Sequence, residues 1–314
     1  MATIPQRQAY GTALADYGEE NQDVVALDAD VSNCTFTSYF AARHPTRFFN
    51  VGVTETSIAN IGVGMALEGR IPFVNTFASI LTPRGCDAIR TCVAYARANV
   101  KLIGGYAGLS DYKDGPTHFG INDIALMRAM PNMVVITPAD NVEAARMVRA
   151  LGEHDGPAYM RVSRAVVPDV FDDSYEAQIG KGITLRSGSD VTLVGTGVMV
   201  ARCLKAADAL AKQGVDARVL AVHTVKPLDR ELILKAAEET GALVTAEEHS
   251  IIGGLGSAVA ETTAECWPAP LERVGLLDVF CETGPDPETL MDAWGLSVND
   301  IAQAAMRVLQ RKRS

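Results

Sequence analysis

Val51-Gly52-Val53-Thr54-Glu55-Thr56-Ser57 leads out of one apolar stretch and into another, Ile58–Leu67, which is followed closely by Pro72-Phe73-Val74-Asn75-Thr76-Phe77. Residues 48–51 and 72–77 read as short strands, and the Gly- and Ala-rich run 57–67 between them reads as a helix. Upstream, residues 24–27 form another apolar run, ending at the polar cluster Asp28-Ala29-Asp30. Downstream the reading gives a helix over 82–96 with Pro83 in its first turn, then strands over 100–104 and 133–137. Val142, Ala145, Val148 and Leu151 then recur at helical spacing. Strand and helix in alternation predict a doubly wound α/β fold, a parallel sheet covered by helices on both faces.

Between positions 166 and 188 the alternation lapses. Val167-Pro168-Asp169, Asp172-Asp173-Ser174 and Gly180-Lys181-Gly182 are turn-forming clusters. The expected organisation is a first domain over 1–165, a connection over 166–188 and a smaller α/β domain over 189–314. In the second domain, strands are expected over 191–194, 217–222 and 242–246, and helices over 201–212, 230–240, 256–265 and beyond Ser297. No internal repeat or low-complexity segment is apparent.

Composition narrows the function classes. The formal net charge is -10 and the basic residues Arg311, Lys312 and Arg313 form only a short tail, so nucleic acid and anionic membrane are poor partners. No apolar run approaches the roughly 18 residues of a membrane span, and residues 1–10 lack the apolar stretch of a signal peptide. Cys34, Cys86, Cys92, Cys203, Cys266 and Cys281 contain no Cys-x-x-Cys pair, and the five histidines show no metal-type spacing. Reduced thiols and a cytoplasmic location are expected.

In doubly wound sheets ligands sit beyond the carboxyl ends of strands, which directs attention to 28–33, 52–57 and 104–118. Glu55 opens the apolar helix, where a carboxylate would complement the helix dipole on local grounds alone. Val53, Ile58 and Ile61 promise it apolar surroundings. Asp114-Gly115-Pro116-Thr117-His118 places a carboxylate, a tight turn and an imidazole in five residues of a long loop, a catalytic pattern.

These segments occur in a characteristic order: Val51-Gly52-Val53-Thr54-Glu55, Asn75-Thr76-Phe77, the Asp114–His118 loop, then Ser163-Arg164. The second domain continues it with His223-Thr224-Val225-Lys226-Pro227-Leu228-Asp229, Glu247-Glu248-His249 and Gly253-Gly254-Leu255-Gly256-Ser257. Across essentially the whole chain this resembles the C-terminal half of transketolase, a thiamine diphosphate-dependent family. The resemblance implies that Glu55 hydrogen-bonds N1′ of the cofactor's pyrimidine and promotes loss of the thiazolium C2 proton, the cofactor supplying the organic chemistry. It implies that Phe77 stacks on the pyrimidine and that Asp30 lies near the thiazole end, although a lone Asp there also reads as a helix cap. Asp114 and His118 match residues that bind donor hydroxyls and assist proton movement. Arg164 matches a sugar-phosphate arginine, and Arg7 lies near the position of a second.

The chain also departs from that pattern. Tyr106 stands where transketolases carry a histidine, and Tyr112-Lys113 replaces Gly-Glu before the loop aspartate. Both changes fall at the donor site, so a ketose phosphate other than the pentose-phosphate donors, including a branched one, is a candidate substrate. Gly-Asp-Gly, with which thiamine enzymes hold diphosphate and magnesium, occurs nowhere in the sequence. The expectation is therefore a partner chain, the N-terminal transketolase subunit, bearing that motif and most of the Mg2+ site, with two copies of each chain. The glycines of 253–256 are expected to serve tight packing rather than phosphate, and Glu247-Glu248-His249 a structural contact. Competing readings are a deoxyxylulose phosphate synthase-like subunit, a pyruvate dehydrogenase beta-like subunit and a non-catalytic paralogue. The last has no need of Glu55, Phe77, Asp114 and His118 together.

Overall fold

The computed structural model describes residues 4–312; residues 1–3 and 313–314, Arg313 of the basic tail among them, lie outside the described residues. The first half contributes strands β1 (Val24–Asp28), β2 (Phe48–Asn50), β3 (Ile71–Phe77), β4 (Lys101–Gly105), β5 (Val134–Ile136) and β6 (Ala158–Val162). The second half contributes β7 (Ile183–Arg186), β8 (Val191–Gly195), β9 (Ala217–Ala221), β10 (Thr224–Lys226), β11 (Leu243–Ser250) and β12 (Leu271–Leu276).

Two sheets form. One has the order β10-β5-β6-β4-β3-β1-β2 and the other β12-β11-β8-β9-β7. All pairings are parallel except those of the edge strands β10 with β5 and β7 with β9. Every residue of β1, β4, β5, β6 and β8 is buried, which is why β1, β4, β5 and β8 read as mostly apolar runs. The expected α/β fold with a parallel sheet is thus observed. Beyond that expectation, β10 leaves the second half of the chain to close the far edge of the first sheet.

Helices cover both faces. Gln6–Glu20 packs on Asn141–Glu153 and shares a core with Phe40, Phe73 and Met160. Val298–Lys312 packs on Met199–Ala211 over the second sheet. The helix expected over 82–96 is instead Ala78–Arg84, a short turn Cys86–Ala88, and a wider π-helical stretch Ile89–Tyr95. Pro83 lies near the end of the first helix, not in its first turn. It has no N–H to donate to a helical ladder, which favours helix termination soon after it. Among the described residues no helix is long and apolar enough to cross a membrane.

Candidate active site

Parallel strand order sets out the candidate residues in a row. Reading β6, β4, β3, β1, β2, the segments leaving the carboxyl ends carry Arg164, Tyr106, Phe77, Asp30 and Glu55. Four strand spacings separate the two ends of that row, roughly 19 Å.

Glu55 sits in the turn that precedes the helix Ile58–Leu67, not in the helix's first turn. The Thr54 carbonyl accepts from the amides of Ser57 (2.8 Å) and Ile58 (2.9 Å), closing that turn. Glu55 is only 6% exposed. Its side-chain partner is Arg84, at 3.4 Å, whose own side chain is 59% exposed; such a pair contributes little. Of the three apolar residues expected around it, Ile58 is buried. Val53 is 69% exposed and Ile61 is also at the surface, because the helix turns this edge outward. The helix Ala78–Arg84 runs from Phe77 at its N-cap to Arg84 beside Glu55, a separation of roughly 10 Å.

At the other end of the row the aromatic and charged residues meet. The Phe77 ring lies 4.5 Å from that of Tyr106 and 6.2 Å, edge-on, from His118. Tyr106 is buried with a positive φ of 56°. Arg7 donates to its hydroxyl at 2.8 Å and to the Cys34 carbonyl at 2.7 Å, while Arg7 Nε is buried without a partner among the described residues. Arg164 stands 4.9 Å from the Tyr106 ring. Burial pushes the Tyr106 phenol up to about 12, so it stays neutral.

Arg164 forms an ion pair with Asp111, a fully buried residue. Burial, and then the neighbouring Asp114, push the Asp111 carboxyl up to about 6. Asp114 and Lys113 are exposed on the same loop. His118 is half-buried and shares a 2.9 Å hydrogen bond between its Nδ1 and the Thr117 hydroxyl. Arg7, Phe77, Tyr106, His118 and Arg164 therefore form one cluster with Asp114 on its loop. Asp30 lies apart from that cluster: it is exposed, has φ 65°, and accepts from Asn50 at 2.8 Å.

Two acids escape a reading of the sequence. Asp111 matters because of Arg164, 53 positions away. Asp28, fully buried, accepts from the Val31 amide (2.6 Å) and the hydroxyls of Thr35 (2.9 Å) and Thr37 (2.7 Å). It, rather than Asp30, organises the loop after β1, and burial raises its carboxyl. The one available signal was its place as the last residue of an apolar run.

Glu247-Glu248-His249 ends β11 against the first half of the chain. Glu247 accepts from the amides of Leu255 (2.7 Å) and Gly256 (2.8 Å), occupying the start of the helix Leu255–Cys266. A Cβ at Gly254 would collide with that carboxylate, and one at Gly256 would lie 2.8 Å from the Thr245 hydroxyl. The glycines here permit close packing, as their sequence context implied.

A family model for the pyrimidine-binding domain of transketolase matches residues 2–169, and one for the transketolase C-terminal domain matches residues 180–301. A 6-deoxy-6-sulfo-D-fructose transketolase subunit, SqwH, from Clostridium sp. (strain MSTE9) is 41% identical over 306 residues, covering 98% of this chain and 95% of that one. One of the subunits of an apulose-4-phosphate transketolase, from Phocaeicola vulgatus, is 34% identical, covering 98% of each chain. A solved structure described as a split gene transketolase, inactive beta4 tetramer, superposes with a TM-score of 0.92 at 43% identity, covering 99% of this chain and all of that one. The chain belongs to the transketolase family and carries, across residues 2–301, that family's pyrimidine-binding and C-terminal domains.

Proposed function

We propose that this chain supplies the activating carboxylate and the donor-sugar site of a thiamine diphosphate-dependent transketolase, and that a second polypeptide supplies the diphosphate and magnesium site. The observation that carries the reading is the row of strand ends. A buried carboxylate, Glu55, whose side-chain partner among the described residues is the exposed Arg84, stands at one end. The cationic aromatic cluster stands toward the other, with Phe77 on its side nearer Glu55 in the row of strands.

The residues present fit the cofactor. Glu55 is an acceptor held out of water, Phe77 offers a partly exposed ring, and Thr76 beside it has a buried hydroxyl without a partner. Bound thiamine diphosphate would supply a carbon nucleophile at C2 of its thiazolium ring. Glu55 would hold a proton at N1′ of the pyrimidine, and Phe77 would orient that ring. Asp30 would lie toward the thiazole end. Asp114 and His118 would bind donor hydroxyls, His118 also moving a proton at the reacting carbonyl oxygen. A two-carbon ketol unit would then pass from a ketose to an aldose.

Arg7, Arg164 and Tyr106 form the proposed seat for the far end of the donor. Two guanidiniums on one neutral phenol suit a tetrahedral oxyanion. Relatives named for 6-deoxy-6-sulfo-D-fructose and apulose 4-phosphate support a ketose ending in sulfonate or phosphate. The absence of Gly-Asp-Gly from the sequence supports assignment of the Mg2+ ligands to the partner, with two copies of each chain. Six free cysteines accord with a cytoplasmic enzyme.

The test is reconstitution. The chain should bind thiamine diphosphate weakly and turn over no ketose alone, and should become active with Mg2+ and a partner bearing Gly-Asp-Gly. Turnover by the isolated chain would overturn the division of labour.

A further inference from the structure

The loop that carries Asp111, Asp114 and His118 leaves β4 and returns through a narrow neck. Gly108 and Gly120 exchange backbone hydrogen bonds at 3.0 and 3.1 Å. An irregular excursion of this length carries a conformational entropy that neck closure alone does not remove.

The neck is gripped from the second half of the chain. Leu109 N–H donates to Glu248 Oε1 at 2.8 Å. Gly108 adopts φ +64°, and a Cβ there would overlap the Glu248 carboxylate, so the carboxylate fills the space beside the neck. The Glu248 carbonyl accepts from Arg161 Nη1 at 3.2 Å, and Arg161 Nη2 donates to the Gly120 carbonyl at 2.6 Å. Both sides of the neck are thereby tied to one residue of β11. Ser250 N–H donates to the Ile121 carbonyl at 2.9 Å, and Gly284 N–H to that of Tyr112 at 3.0 Å.

Glu248 is buried, and burying a carboxylate costs free energy that an apolar side chain would not. What the carboxylate adds is an acceptor for Leu109 N–H. From this geometry we infer that Glu248 is a positioning residue: it latches the donor loop and sets donor affinity from the C-terminal domain without touching the donor. This inference rests on the reading of the loop as the donor site.

The experiment uses the reconstituted two-chain enzyme with thiamine diphosphate and Mg2+, and with fructose 6-phosphate and 6-deoxy-6-sulfo-D-fructose as donors. Glu248→Ala should raise the donor KM about tenfold, the scale of an unpaired buried amide. Its kcat should stay within about threefold of wild type, and cofactor affinity should not change. Hydrogen exchange of the 109–119 amides should quicken, while that of the second sheet should not. Glu248→Gln retains an acceptor oxygen and should restore the KM.

A purely structural role would instead lower Tm, cofactor affinity and activity together, with no selective rescue, and that result would overturn the latch. Should Glu248→Ala fail to fold, Gly108→Ala perturbs the same contact from the other side. A native Tm with an unchanged donor KM in that variant would be equally decisive. Asp114→Asn separates the two readings. A raised KM there beside an unchanged one in Glu248→Ala sinks the latch alone, whereas an unchanged KM in Asp114→Asn sinks the loop as donor site.

Discussion

The Arg7 guanidinium donates to the Tyr106 hydroxyl at 2.8 Å, joining the first helix of the chain to the segment that leaves β4. Tyr106 is thereby fixed between two cations, with Arg164 4.9 Å from the same ring. Its hydroxyl is the acceptor that holds Arg7 toward the cluster, since the other Arg7 partner is the Cys34 carbonyl.

Tyr106→Phe removes that acceptor and leaves the packing in place. The donor KM for anionic ketoses should rise ten- to a hundredfold, the scale of a charged hydrogen bond, with a smaller change in kcat. Tyr106→His restores the residue usual in the family and should shift the ratio of kcat/KM values toward pentose phosphates. An unchanged donor ranking in both variants would remove Tyr106 from the specificity site.

Glu55→Gln keeps the shape of the side chain but offers an amide where the pyrimidine needs a carboxylate. In the reconstituted enzyme, C2 proton exchange of bound thiamine diphosphate, followed by NMR, should slow by about 10²–10⁴. Exchange at the wild-type rate would rule Glu55 out as the activating group.

Arg164→Ala should raise the KM for phosphorylated ketoses at least about tenfold and leave cofactor affinity intact. It also leaves the buried Asp111 without its cation, so Arg164→Lys, which retains a charge, is the matched control. Equal losses on phosphorylated and unphosphorylated ketoses would show that Arg164 supports the loop rather than binding phosphate.

The contribution of Glu143 to stability should fall with rising pH through neutrality. Glu143, buried on the helix Asn141–Glu153, accepts from Ala139 N–H and the Tyr175 hydroxyl, each at 2.6 Å. Burial pushes its carboxyl from an ordinary 4.5 up to about 7. The folded state therefore holds a proton that the unfolded chain releases above pH 4.5. The stabilisation is full below that value and is lost as pH rises through 7, about 3 kcal/mol in all. Glu247 and Glu248 are pushed up to about 7 by the same cause. Glu143→Gln should make the slope of Tm against pH between 5 and 8 less negative; an unaltered slope would show that Glu143 does not titrate there.

Much of the first sheet was legible because its strands are buried on both faces and read as apolar runs. Strand β6 was not: Arg161 interrupts Ala158–Val162, and the group that makes it tolerable, Asp123, lies 3.1 Å away in space but far off in sequence. The helix Gln6–Glu20 was missed for a different reason. Its buried face includes Gly11 and Gly18, where a Cβ would crowd Phe36 and Phe40, so close packing replaces the apolar stripe that periodicity detects. The family itself was readable from the order of short motifs, each ordinary alone. Motif order did not disclose that Asp111 pairs with Arg164 or that Asp28 braces the loop after β1, because those roles depend on partners brought together by folding.

Strand β10 has a consequence for how such a chain can be divided. It pairs antiparallel with β5, Thr224 against Ile136 and Lys226 against Val135, and so gives the first sheet its outer border. Separating the halves between residues 169 and 180, where the two family models part, would strip that border and leave the amides and carbonyls of β5 open to pairing with any passing strand. The two domains are separable in sequence, yet a strand from the second half belongs to the first sheet. Expressed without the second half, residues 4–169 should therefore aggregate more readily than the whole chain.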